Sequence, residues 1–172
     1  MEGEERRLYI LSTLKKADNP IPGAILGQET AVSRQVIVGD VNLLKATGEP
    51  IVATSRGYLY IHPEVKPSKI EKVFVCTHTA DQAEEELNIF VDHGLTVKNV
   101  LIEHPVYGDL TASIMVSNRS EVKKFIQHIQ DTGAPLLSEL TEGIHLHTVA
   151  ANRQKDIEDA ADALRKAGIL VE

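Results

Sequence analysis

Ser33-Arg34-Gln35-Val36-Ile37-Val38-Gly39-Asp40-Val41-Asn42-Leu43-Leu44-Lys45, closed by Gly48, is the stretch on which the front of the chain is read. Ser33 stands where an N-cap is needed, and Val36, Ile37, Asp40, Val41, Leu44 and Lys45 separate at helical spacing into an apolar stripe and a wet face. Downstream, Ile51-Val52-Ala53-Thr54 and Tyr58-Leu59-Tyr60-Ile61 predict two strands of a hairpin turning at Ser55-Arg56-Gly57. Upstream, Leu8, Leu11 and Leu14 predict a helix over Arg6 to Ala17. Asn19-Pro20-Ile21-Pro22-Gly23 interrupts it before a short helix over about Pro22 to Thr30.

Helix, helix, turn, helix, hairpin is the order of a winged helix-turn-helix. In that arrangement the first residues of the third helix meet base edges, so Ser33, Arg34 and Gln35 are the expected DNA contacts, with Arg56 at the hairpin tip reaching phosphate or a minor groove. The net charge of −7 is uneven. Residues 6–63 hold 7 basic and 4 acidic side chains, a balance of +3, whereas residues 64–172 hold 11 basic and 18 acidic ones, a balance of −7. The positive bias lies in the segment that would touch phosphate.

Pro63-Glu64-Val65-Lys66-Pro67-Ser68 has two prolines and no apolar period, and residues 64–68 read as a linker between a front domain, 1–63, and a rear domain, 69–172. The rear domain alternates strands and helices. Val73 to His78 is a strand, and Thr79 with Gln82 forms a capping box for a helix ending at Gly94. Val97 to Ile102 and Leu110 to Val116 are strands flanking the turn-rich His104-Pro105-Val106-Tyr107-Gly108. Ser120 is the expected cap of a helix ended by Gly133. Ile144 to Val149 is a strand, and Asn152 opens a last helix before Gly168 and a short terminal strand. Without the Gly-rich loop of a nucleotide fold, this order predicts an α+β sandwich of helices on a sheet.

His145 and His147 lie two apart in the strand Ile144-His145-Leu146-His147-Thr148-Val149, so both imidazoles point to one face. His78 ends another strand and precedes a helix bearing Glu84, Glu85 and Glu86. Of these, Glu86 borders the stripe Ala83, Leu87, Phe90 that faces the sheet, which makes it the expected carboxylate ligand. Imidazole and carboxylate suit zinc, nickel, iron or manganese. Cys76 shares the His78 side of its strand as a soft ligand or a core residue. His104 and Tyr107 lie in a turn suited to a small-molecule pocket. The lone cysteine excludes an intrachain disulfide, and no apolar run suits a secretory signal or a membrane span, so the expected location is the cytoplasm.

Pro20-Ile21-Pro22-Gly23, Val32 to Ile37, Asp40, Leu43-Leu44, Gly48, Ile51 and Arg56-Gly57-Tyr58 resemble, in order, the winged helix at the N-terminus of the biotin operon repressor and its relatives. Gly39 departs from that pattern, standing where such helices usually carry a long or basic residue. His78-Thr79-Ala80 running into Glu86, Glu103 to Gly108, and Gly143 to Thr148 resemble the three-histidine domain of bacterial niacin-responsive repressors. That resemblance implies a homodimeric repressor of genes for NAD synthesis or niacin uptake, with operator DNA as partner and nicotinic acid as co-repressor. It also implies a divalent metal on His78, Glu86, His145 and His147. The nicotinate ring is then expected near Tyr107 and His104. Two alternatives differ from it: a repressor for which the metal itself is the signal, and a metal-dependent hydrolase. No separate general base is evident for the hydrolase, so a non-enzymatic regulator is expected.

Overall fold

The computed structural model describes residues 1–63 and 69–172; the segment 64–68, read above as a linker, lies outside the described residues. The chain separates into two compact units, Met1–Val65 and Lys66–Glu172.

In the front unit, α1 (Gly3–Lys16), α2 (Gly23–Thr30) and α3 (Arg34–Ala46) precede a hairpin of β1 (Ile51–Thr54) and β2 (Gly57–Tyr60). Helix α1 starts earlier than its leucine spacing predicts. It buries Ile10 and Leu14 with Leu11 beside them, and leaves Leu8 63% exposed. Ser33 caps α3 as expected, its hydroxyl accepting from the Val36 N–H at 3.4 Å. Ser33→Ala should therefore cost about 1 kcal/mol in thermal unfolding and Ser33→Asn should restore it.

Asp40 points into the core side of α3, only 4% exposed, and is compensated by Arg6 Nε at 2.6 Å and Arg7 Nη1 at 3.5 Å, which tie α1 to α3. The hairpin is anchored to the loop before α2 by backbone bonds between Ile21 and Tyr58, 2.8 and 2.9 Å long. Gly57, with φ of +134°, sits against that loop, where a Cβ would drive into the Ile21 and Pro22 backbone.

The rear unit runs β3 (Ile70–Thr77), a 3₁₀ turn (Ala80–Gln82), α4 (Ala83–Asp92), β4 (Thr96–His104) and β5 (Gly108–Val116). It continues through α5 (Arg119–Thr132), a 3₁₀ turn (Leu137–Thr141), β6 (Ile144–Ala151) and α6 (Gln154–Lys166). The sheet is antiparallel in the order β3-β6-β4-β5, so the last strand in sequence is inserted between the first two. Strand alternation sends Phe74, Cys76, His145, His147 and Val149 to the face covered by α4, α5 and α6, where Leu87, Phe90, Val122 and Leu164 complete one core. This is the helix-on-sheet α+β arrangement.

Three local expectations are corrected. The cap of α5 is Asn118, whose side chain accepts from Glu121 N at 3.0 Å, because Arg119 rather than Glu121 begins the helix, leaving Ser120 inside it. Helix α6 starts at Gln154 with no side-chain cap rather than at Asn152. The terminal strand reduces to a single bridge between Leu170 and Cys76. No helix among the described residues is long and apolar enough to cross a membrane.

Candidate metal centre

The register Cys76↔His145 and Phe74↔His147 sets β3 against β6, so His78, just past the end of β3, lies next to the two histidines of β6. Helix α4 lies over them and presents Glu86 on its buried face, with Glu84 and Glu85 outside. The three imidazoles meet at one carboxylate. Glu86 Oε2 is 2.6 Å from His78 Nε2, 3.1 Å from His145 Nε2 and 3.2 Å from His147 Nε2, and Oε1 is 3.0 Å from His145 Nε2. All four side chains are at most 4% exposed. Neighbouring rings meet edge to face, His78 on His145 and His145 on His147, with centroids 4.8 and 4.9 Å apart.

The outer nitrogens fix the chemistry of the inner ones. His78 Nδ1 lies 2.7 Å from Thr79 O, His145 Nδ1 2.7 Å from Gly143 O, and His147 Nδ1 2.7 Å from Asn99 O. A carbonyl oxygen only accepts, so each Nδ1 carries its proton and donates it. In a neutral ring the Nε2 lone pair then faces inward, toward a carboxylate that is itself an acceptor when ionised. Three lone pairs and an anion in one buried space require a positive charge, supplied by protons or by a cation.

The donor set fits a divalent transition metal. Imidazoles backed by carbonyls are the usual outer shell of such sites. The spacings from His145 and His147 to the carboxylate, 3.0–3.2 Å, fall within the ~2.9–3.4 Å edges of an octahedron or tetrahedron with bonds of about 2.1 Å, while that from His78, 2.6 Å, is shorter. His78, Glu86 and His145 offer ligand atoms all within 4.8 Å of one another, and His147 Nε2 lies 3.2 Å from the same carboxylate.

Burial opposes charge on both His78 and Glu86, and their neighbours overcome it. For Glu86, the His147 charge and hydrogen bonds from all three histidines hold the carboxyl well below its usual range. For His78, the bond and charge of Glu86, then the Thr79 carbonyl and Asp81, raise its pKa above the ordinary 6.5. A raised histidine stabilises the fold below its unfolded pKa and loses that contribution as pH rises through the folded one. A depressed carboxylate stabilises above its ordinary value and loses that contribution as pH falls.

The metal-free rear unit should therefore be most stable between the ordinary glutamate value of 4.5 and the histidine value of 6.5, weakening on either side. A coordinated ion needs neutral imidazoles, so its stabilisation should grow with pH over the range where the metal-free unit weakens. Unfolding curves of nickel-saturated and chelated protein from pH 5.5 to 8 should diverge steadily; parallel curves would contradict this.

Not every expected residue joins the cluster. Cys76 is in the core, and burial first, then Glu86, pushes its thiol far up, so it remains a protonated core residue. His104 and Tyr107 are at the β4–β5 hairpin tip. There His104 Nδ1 accepts from the Val106 and Tyr107 N–H groups at 3.1 and 3.2 Å, and Tyr107, 75% exposed, packs its ring on His104 at 5.0 Å. Neither lines the cleft of about 340 Å³ that borders the cluster at His78 alone, with Thr79, Ala80, Ser138, Glu139, Glu142 and Gly143 as its other walls. In the front unit Ser33, Arg34 and Gln35 are exposed and Arg56 is half-buried.

The partners that sequence reasoning missed are backbone groups. They are the carbonyls of Thr79 and Gly143, and that of Asn99, where a bulge between Val97 and Asn99 breaks the β4–β6 register. A carbonyl leaves no mark in side-chain identity, so only the glycine could have been noticed.

A 3H domain matches residues 71–172 and a helix-turn-helix domain matches residues 6–59. The chain is 48% identical over 170 residues to the transcription repressor NadR of Bacillus subtilis, covering 98% of this chain and 94% of that one. It is 36% identical over 169 residues to the probable transcription repressor NiaR of Thermotoga maritima, covering 98% of this chain and 95% of that one. Both names are those of regulators, not enzymes.

Proposed function

Because the chain belongs to the transcription-repressor family that joins a helix-turn-helix domain to a 3H domain, we propose a specific regulator of NAD metabolism. It acts in the cytoplasm as a homodimer and represses genes of NAD synthesis or niacin uptake. Nicotinic acid is its co-repressor, and a divalent transition metal, nickel or zinc, is held by His78, Glu86, His145 and His147. The observation that carries this reading is the convergence of three Nε2 atoms on Glu86 while every Nδ1 is committed to a carbonyl.

A bound divalent ion, held by His78, Glu86, His145 and His147, would supply a Lewis-acidic centre that attracts an anionic ligand. The chain's own residues do the rest. Thr79, Gly143 and Asn99 hold the imidazoles in the binding tautomer, and the cleft beside His78 gives a small acid access. Glu139 and Glu142 on its rim disfavour a free carboxylate, so nicotinate entry depends on the positive centre. Support for nicotinic acid in particular comes from the resemblance of the rear unit to niacin-responsive repressors. We assign its site to the cleft beside His78, which His104 and Tyr107, at the β4–β5 hairpin tip, do not line. Nicotinate tightens DNA binding only by binding the competent arrangement of the dimer more strongly than the others.

Fluorescence anisotropy on operator DNA, with nickel and nicotinic acid varied independently, tests this. Tightening should need both. Tightening by metal alone would identify the ion as the signal, and tightening by nicotinate after chelation would exclude a metal-dependent site.

A further inference from the structure

The DNA-facing side of α3 has an unusual composition for a surface that meets a polyanion. At 3.6 residues per turn, the side opposite Ile37, Val41 and Leu44 is an arc of about 120° holding Asn42, Gln35, Ala46, Gly39, Leu43 and Val36. None of the six is charged. All are exposed, Val36 by 39% and Leu43 by 54%. The helix's cations are elsewhere: Arg34 lies on the flank, its Cγ and Nε 3.6 and 3.8 Å from where a Gly23 Cβ would sit, and Lys45 is half-buried.

Gly39 is the second anomaly. It lies mid-helix, where glycine costs about 1 kcal/mol relative to alanine, yet a Cβ there would meet nothing within 4 Å. Packing within the chain does not ask for it.

We infer that α3 reads A·T base pairs in the major groove. Gln35, and about two turns later Asn42, address adenine through their carboxamides. Val36 and Leu43 cover thymine methyl groups, and Gly39 between them lets the helix backbone settle against the groove. The chemistry follows from the edges that bases present: a carboxamide pairs with adenine N6 and N7, and an apolar side chain fits the thymine methyl. Guanine is read chiefly by arginine or lysine, which this arc lacks. Arg56, and Arg34 on the flank beside Gly23 rather than on the arc, are assigned to backbone phosphate, which positions the protein without selecting sequence and revises the expectation that Arg34 meets a base edge. The inference rests on α3 being the helix that enters the groove, and Gln35, Val36 and Gly39, in its first two turns, are the most deeply engaged.

The test is selection from a randomised duplex pool with the full chain, nickel and nicotinic acid, followed by binding to the enriched duplex. A·T pairs should dominate the positions under α3. Replacing a contacted thymine by uracil should weaken binding about fourfold, the worth of one buried methyl. Val36→Ala should lose that sensitivity to uracil. Gly39→Ala should raise the unfolding temperature of the front unit while weakening binding at least tenfold. Enrichment of G·C pairs at those positions, indifference to uracil, or Gly39→Ala binding as tightly as the parent would each overturn the inference. Failure to enrich any sequence would instead overturn the DNA-reading role itself.

Discussion

Glu86→Gln should cut divalent-metal affinity by more than about 100-fold, since loss of an outer-shell partner alone typically costs 10–100-fold and Glu86 is one of the four donors. The same change should leave the metal-free protein folded, with an effect on stability that reverses with pH. At pH 8 an amide can donate to an imidazole lone pair that the carboxylate only repels, so stability should hold or rise. At pH 5.5, where His78 carries its proton, the variant loses the anion 2.6 Å from that ring and should unfold at lower temperature. Calorimetric nickel titration and unfolding curves at the two pH values check both arms. A Glu86→Gln protein that unfolds readily at pH 8 yet takes up nickel normally would make Glu86 a structural residue.

Gly143→Ala should be the most damaging single methyl in the rear unit. Gly143 has φ of +95°, and a Cβ would sit 2.5 Å from the His78 carbonyl oxygen, a backbone atom that can move only with the histidine itself. Its own carbonyl holds His145 Nδ1. Strain from the positive φ and displacement of the 78–79 backbone together should cost about 3 kcal/mol, or roughly 10–20 °C in unfolding temperature for a unit of this size. Metal affinity should fall with it. Gly168, at φ of +72° with nothing within 4 Å of its absent Cβ, is the internal control: Gly168→Ala carries the dihedral strain alone and should cost about 1 kcal/mol. Equal losses in the two variants would show that the approach to His78 is irrelevant.

These two residues show how far side-chain patterns reach. The third helix was legible because Ser33, the apolar repeat and Gly48 agree on it, and the His145–His147 pair because a strand's period of two admits one arrangement. Glu86 could be separated from Glu84 and Glu85 by helical phase alone. Leu8 misled because its phase at about 100° per residue puts it on the side of α1 opposite Ile10 and Leu14, which turn inward. His104 and Tyr107 share the tip of the β4–β5 hairpin, where one histidine nitrogen accepts two backbone N–H groups and the rings lie 5.0 Å apart, a turn geometry that residue identity does not announce. What fixes the tautomer of the three imidazoles is main chain, brought close by a bulge and a glycine turn, and no residue identity announces it.

The central claim, that this carboxylate and these three imidazoles together hold one ion, is tested most directly by titrating chelated protein with cobalt(II) and following its visible spectrum. The account predicts one ion per chain, absorption from nitrogen and oxygen ligation, and no sulfur charge-transfer band, since Cys76 stays a thiol. The bands should be lost in His145→Ala and Glu86→Gln. Cobalt spectra unchanged in both variants, or no uptake by the parent protein, would contradict it.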